Sequence, residues 1–111
     1  MAQSDQAEPA FTRATNLAPN VALYWLDLGD CLVANAELGG ARSAYVRACT
    51  LSPGDSDALS RYGGFLVTYG SAADRQTAQT VLRKAISIDK DDDYAWYQMG
   101  RLLLSEGATS P

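Results

Sequence analysis

Three glycines recur in this chain at nearly even intervals: Gly29, Gly63 and Gly100. Each interrupts a stretch that otherwise reads as helix, where a glycine costs about 1 kcal/mol relative to alanine. Shifted by 34 residues, Gly29 falls on Gly63, Leu32 on Leu66 and Trp25 on Leu59. A further shift of 37 carries Gly63 to Gly100, Leu66 to Leu103 and Leu59 to Trp96. Ala41, Ala48 and Leu51 meet Ala78, Ala85 and Ile88 at the same spacing of 37, so the three additional residues lie between Leu66 and Ala78. The pattern also runs backwards: 34 residues before Ala41, Tyr45, Ala48 and Pro53 stand Ala7, Phe11, Ala14 and Pro19. Self-similarity at such a period marks a chain of stacked supersecondary units, each burying its apolar face against its neighbours.

Each unit reads as two helices. VALYWLDLGDCLVAN carries Leu28, Cys31 and Leu32 at spacings of three and four, and ARSAYVRACTLS resumes the stripe through Ala41, Ala44, Tyr45, Ala48 and Leu51. AELGG breaks the run between them. Pro53 and Gly54 stop the second helix, and Asp55 or Ser56 can cap the next. Helices are expected near 7–17, 21–34, 39–51, 56–69, 74–88 and 93–105, with no strand. Pro9 is at home only in a first turn, which places the start of the first helix at residues 5–8.

In register, Trp25, Leu28, Gly29, Leu32, Ala41, Tyr45, Ala48 and Pro53 resemble the signature of the tetratricopeptide repeat. A looser copy reads Leu59, Tyr62, Gly63, Leu66, Ala78, Leu82 and Ala85, with Lys90 where proline is usual. A third has only its first helix, with Trp96, Met99, Gly100 and Leu103. The resemblance covers residues 5–106 and implies an all-α, right-handed superhelical solenoid of antiparallel helix pairs, about six helices in all. The expected order is a lone second helix over 5–19, repeats over 20–53 and 54–90, and over 91–106 the first helix of a further repeat or a capping helix. The recurrent glycine then has a reason. A residue without a side chain lets the paired helix approach, and the packing gained offsets the propensity cost.

Composition narrows the function. Hydrophobic residues are 47% of the chain, enough for a core, while no apolar run approaches the roughly 20 residues that span a bilayer. MAQSDQAEPA has neither the basic start nor the apolar centre of a signal peptide, so a cytoplasmic location is expected. Nine basic residues against thirteen acidic ones, scattered almost singly, give no basic face for nucleic acid or an anionic membrane. Cys31 and Cys49 fall on apolar helical faces and read as thiols; with no histidine they make no zinc set. Asp89, Asp91 and Asp93 mimic the start of a calcium loop. Tyr94 and Gly100 stand where that loop requires glycine and glutamate, so helix capping is the better reading. The paired glycines at 39–40 and 63–64 lack the spacing of a phosphate loop. Without histidine the commonest general base is missing, and Ser87 with Lys90 is an ordinary helical pair. No enzyme, cofactor or metal is expected.

What remains is surface. The resemblance implies that the first helix of each pair lines a concave face that holds a peptide or a partner helix. The positions carried over are Leu23, Leu26, Asp27, Asp30 and Val33; Asp57, Ser60, Arg61, Gly64, Val67 and Thr68; and Tyr94, Tyr97, Gln98 and Arg101. Some members of the family clamp a chaperone's C-terminal carboxylate with Lys, Asn, Asn, Lys and Arg. The matching places here hold Leu26, Asp30, Arg61, Tyr94 and Gln98, and none agrees. An aspartate-lined groove suits basic or apolar anchors instead. The expected function is a non-enzymatic interaction module or scaffold. The alternatives are a self-assembling structural segment, or the substrate-recruiting part of a larger enzyme. The last helix, YAWYQMGRLLLSEG, is apolar on more than one face, so self-association through residues 94–104 is also expected.

Overall fold

The computed structural model describes the backbone of residues 3–109 and the side chains of residues 6–107. It contains six α-helices: α1 Gln3–Leu17, α2 Ala22–Ala34, α3 Leu38–Leu51, α4 Ser56–Tyr69, α5 Arg75–Ile88 and α6 Asp93–Thr109. A single 3-10 turn, Ala72–Asp74, precedes α5, and the described residues include no strand. The fold is an all-α helical repeat. The chain divides into two compact units, Met1–Pro53 with α1–α3 and Gly54–Pro111 with α4–α6.

In the first unit α2 and α3 form an antiparallel pair. A Cβ built on Gly29 would lie 2.8 Å from the Tyr45 ring, and one on Gly40 would lie 3.2 Å from Leu32. Tyr45 thus occupies the space that Gly29 leaves, and its hydroxyl donates to the Asp30 carboxylate on α2. Ala41, Ala44, Tyr45 and Ala48 are buried on α3, opposite Leu28 and Cys31 on α2. Cys31 and the half-buried Cys49 are thiols. The second unit repeats the arrangement. A Cβ on Gly63 of α4 would lie 2.6 Å from Leu82 of α5, which is fully buried. Small residues at Ala78 and Ala85 flank Leu82 on the same helix and are equally buried. The third glycine differs: nothing lies within 4 Å of a Cβ on Gly100. No second helix follows α6 among the described residues to cover it.

Loops follow local chemistry. Asp55 caps α4, its carboxylate accepting from Asp57 N–H at 3.0 Å. Asp92 caps α6 by accepting from Ala95 N–H at 3.0 Å, and Asp89 accepts from Asp91 N–H at 3.0 Å. The aspartate run is therefore occupied in capping. The Ser56 hydroxyl at the start of α4 donates to the Asp92 carboxylate just before α6 and lies 3.2 Å from the Ala85 carbonyl on α5. The three-residue insertion contains the 3-10 turn, closed by a reciprocal box between Ser71 and Asp74.

Three local expectations are corrected. α1 begins at Gln3 and carries Pro9 inside it. Six residues of helix, nearly two turns, precede the proline, whose missing N–H removes one i→i−4 bond. Gly39 and Gly40 do not break the chain but lie in the first turn of α3. The break is Asn35–Ala36–Glu37, where Glu37 N–H donates to the Leu32 carbonyl at 2.8 Å and Ala36 N–H to the Val33 carbonyl at 3.0 Å. That pair of bonds is a Schellman closure, and it holds Ala36 at φ 61°.

Candidate functional site

The expected binding residues lie on α2, α4 and α6, and the structure brings together those of α4 and α6. These two helices run side by side in the same direction. A Cβ on Gly64 would strike the hydroxyl end of Tyr94, so the glycine makes room for that ring against α4. One turn further along, Arg101 Nη1 donates to Thr68 Oγ1 on α4 at 3.0 Å and to Gln98 Oε1 at 3.1 Å. The Arg101 guanidinium also lies 6.0 Å from the centre of the Tyr97 ring. On α4, Arg61 Nε pairs with the Asp57 carboxylate at 3.0 Å. The result is a strip with exposed Tyr94 and Tyr97, a half-buried Arg61, and exposed Asp57, Thr68 and Arg101.

Other expected positions lie apart from the strip. Leu26 is buried rather than presented, since a leucine gains about 2 kcal/mol by leaving water. Gln98 is also buried, as the acceptor beneath Arg101, and Ser60 is buried with its hydroxyl donated to the Asp57 carbonyl. Ser60 and Gln98 thus lie beneath the surface of α4 and α6 rather than on it. Leu23 and Asp30 are exposed on α2, with Asp27 and Val33 half-buried on the same helix. Asp30 has a structural duty, holding Tyr45 in place over Gly29.

The sequence reading missed several working groups. Trp25 donates its indole N–H to the Pro19 carbonyl at 2.8 Å, and Trp96 does the same to the Lys90 carbonyl at 2.8 Å. The two bonds stand at matched positions, so the tryptophans tie each first helix to the loop before it. Identical spacing to a carbonyl six residues back was the available signal. A cleft of about 120 Å³ lies between Leu66, Val67, Arg75, Leu102 and Ser105, bridged by an Arg75–Ser105 hydrogen bond of 2.8 Å. It is below the 300 Å³ or so that a small-molecule site needs. In the first unit Glu8, Asn35 and Glu37 cluster, with Asn35 donating to Glu8 at 3.1 Å. The Glu37 carboxyl is raised above its ordinary range, first by its hydrogen bond with Glu8 and then by that group's charge. Glu8 is lowered, by the hydrogen bond from Glu37 and then that from Asn35. Among the described residues no group of three or more Cys, Asp or Glu is arranged to hold a metal ion, and no helix is long and apolar enough to cross a membrane.

Known structures share this architecture. One, described as YrrB, a TPR protein with an unusual peptide-binding site, superposes with a TM-score of 0.76 at 28% identity. The match covers 88% of this chain and 49% of that one. Another, the first TPR of Spaghetti (RPAP3) bound to the HSP90 peptide SRMEEVD, gives a TM-score of 0.82 at 15% identity, over 97% of this chain and 82% of that one. This is the tetratricopeptide-repeat fold. No family model matches the chain. Protein NPGR2 of Arabidopsis thaliana is 24% identical over 110 residues, and the chain spans 15% of its length. A fold of this kind is in general a scaffold that offers extended surfaces to other proteins.

Proposed function

We propose that the chain is a protein-interaction module, without catalysis of its own, that holds a peptide or a partner helix along the α4–α6 strip. The observation that carries this reading is the pair of exposed tyrosines on α6, fixed beside α4 by the Gly64–Tyr94 approach and the Arg101–Thr68 bond. Tyrosine and arginine dominate binding energy at interfaces because they offer large rigid area with a polar end. Tyr97 is 63% exposed and serves as the principal anchor. Both structural neighbours are described with peptide binding, which supports the class of partner.

The ligand chemistry differs from that of an acidic tail. On the strip Tyr94 occupies a place where carboxylate-clamping relatives carry Lys, and the Asp57 carboxylate is already paired with Arg61. The strip therefore favours peptides with aromatic or aliphatic anchors, received by Tyr94 and Tyr97. Selection from a random peptide library, followed by fluorescence anisotropy, tests this. Peptides with aromatic or aliphatic residues are enriched, SRMEEVD binds more weakly than these, and Tyr97→Ala weakens the selected peptides about tenfold. Equal selection by a Tyr94→Ala/Tyr97→Ala variant contradicts the reading.

A further inference from the structure

α1 and α6 carry complementary halves of one helix pair. α1 has the pattern of a second helix. Its Ala7, Phe11 and Ala14 stand in register with Ala41, Tyr45 and Ala48 of α3 and with Ala78, Leu82 and Ala85 of α5. All six of those residues are buried, whereas Ala7, Phe11 and Ala14 are each only half-buried. α6 has the pattern of a first helix, with Trp96, Gly100 and Leu103 in register with Leu59, Gly63 and Leu66. Leu59 and Leu66 are 4% and 3% exposed, but Trp96 and Leu103 are 53% and 49% exposed. Gly29 is covered by Tyr45 and Gly63 by Leu82, while Gly100 faces open space.

We propose that α1 of one copy docks on α6 of a second copy, head to tail, so that Phe11 covers Gly100 as Tyr45 covers Gly29 and Leu82 covers Gly63. The occupant is specified by register. The face around Gly100 lacks a helix reading Ala, then a large side chain four residues on, then Ala three further, and α1 carries that arrangement. A second-type helix can serve two first-type neighbours at once, as α5 does by packing on both α4 and α6. α1 packs chiefly on α2 and has its other side to offer. Such an interface is heterologous: each copy has one donor end and one acceptor end, so association continues beyond a dimer unless the rotation closes a ring. The pairing uses the ends of the array and does not depend on the peptide-binding reading.

Sedimentation velocity from micromolar to millimolar concentration tests the proposal with two variants. Gly100→Arg blocks the acceptor end and leaves the monomer fold intact, because the space there is open. Phe11→Glu blocks the donor end, with Ala7→Arg as a second donor-end variant should Phe11→Glu lose helix content by circular dichroism. The parent is expected to grow in mass past the dimer, and each variant to stay monomeric alone. An equimolar mixture of one acceptor-end and one donor-end variant is expected to give a dimer and nothing larger, since one intact α6 then meets one intact α1. Arg61→Ala, in the proposed peptide strip, should leave association unchanged. A monomeric parent at millimolar concentration overturns the proposal. So does continued association of both donor-end variants, which would mean that α6 pairs with α6, and so does a mixture that stays monomeric.

Discussion

Ala36 sits at φ 61°, a backbone region in which any side chain costs roughly 1–2 kcal/mol. It is held there because the turn after α2 must close two carbonyls, those of Leu32 and Val33, at once. Glycine meets that demand without the clash. Ala36→Gly is expected to stabilise the protein by roughly 0.5–1 kcal/mol after allowance for the extra freedom of the unfolded glycine, read as a higher midpoint in urea. The reverse holds at Gly29, where the Tyr45 ring already fills the space and is tethered by its hydroxyl to Asp30. The same residue type is thus required at one position and absent from another that calls for it.

Between elements, Glu8 of α1 meets Glu37 at the entrance to α3. The folded state holds the Glu37 proton more tightly than the unfolded chain does. That contribution is full at acidic pH and is lost as pH rises through the raised value of Glu37. Glu8 acts in the opposite sense: its lowered value favours folding above the ordinary carboxylate range and is lost as pH falls through it. Glu37→Gln keeps an N–H donor toward Glu8 at every pH and removes the like charge. Relative to the parent, its melting temperature is expected to gain as pH goes from mildly acidic to neutral, measured by thermal circular dichroism. An unchanged difference across that range contradicts the account of this junction.

At the scale of the molecule, the positions of all six helices were legible because one periodic constraint fixes many residues together. The 34-residue shift aligned Gly29 with Gly63, and the longer second interval located the insertion that contains the Ala72–Asp74 turn. What was not legible depends on depth and on loop closure. The family resemblance placed Leu26 and Gln98 on the binding side but could not tell that both are buried, Gln98 beneath Arg101. Gly39 and Gly40 read as a break because glycine is a poor helix former, yet tertiary packing against Leu32 keeps Gly40 helical. The proposed binding strip was legible as residue types and not as a geometry, since the Gly64–Tyr94 approach joins residues 30 apart.

The account rests on register-matched glycines marking where paired helices touch, and equilibrium urea unfolding of Gly63→Ala and Gly100→Ala at low concentration tests it most directly. Gly63→Ala is predicted to lose about 1–3 kcal/mol, because its Cβ meets the buried Leu82, and Gly100→Ala to gain up to about 1 kcal/mol in open space. A Gly63→Ala variant as stable as the parent would contradict the account.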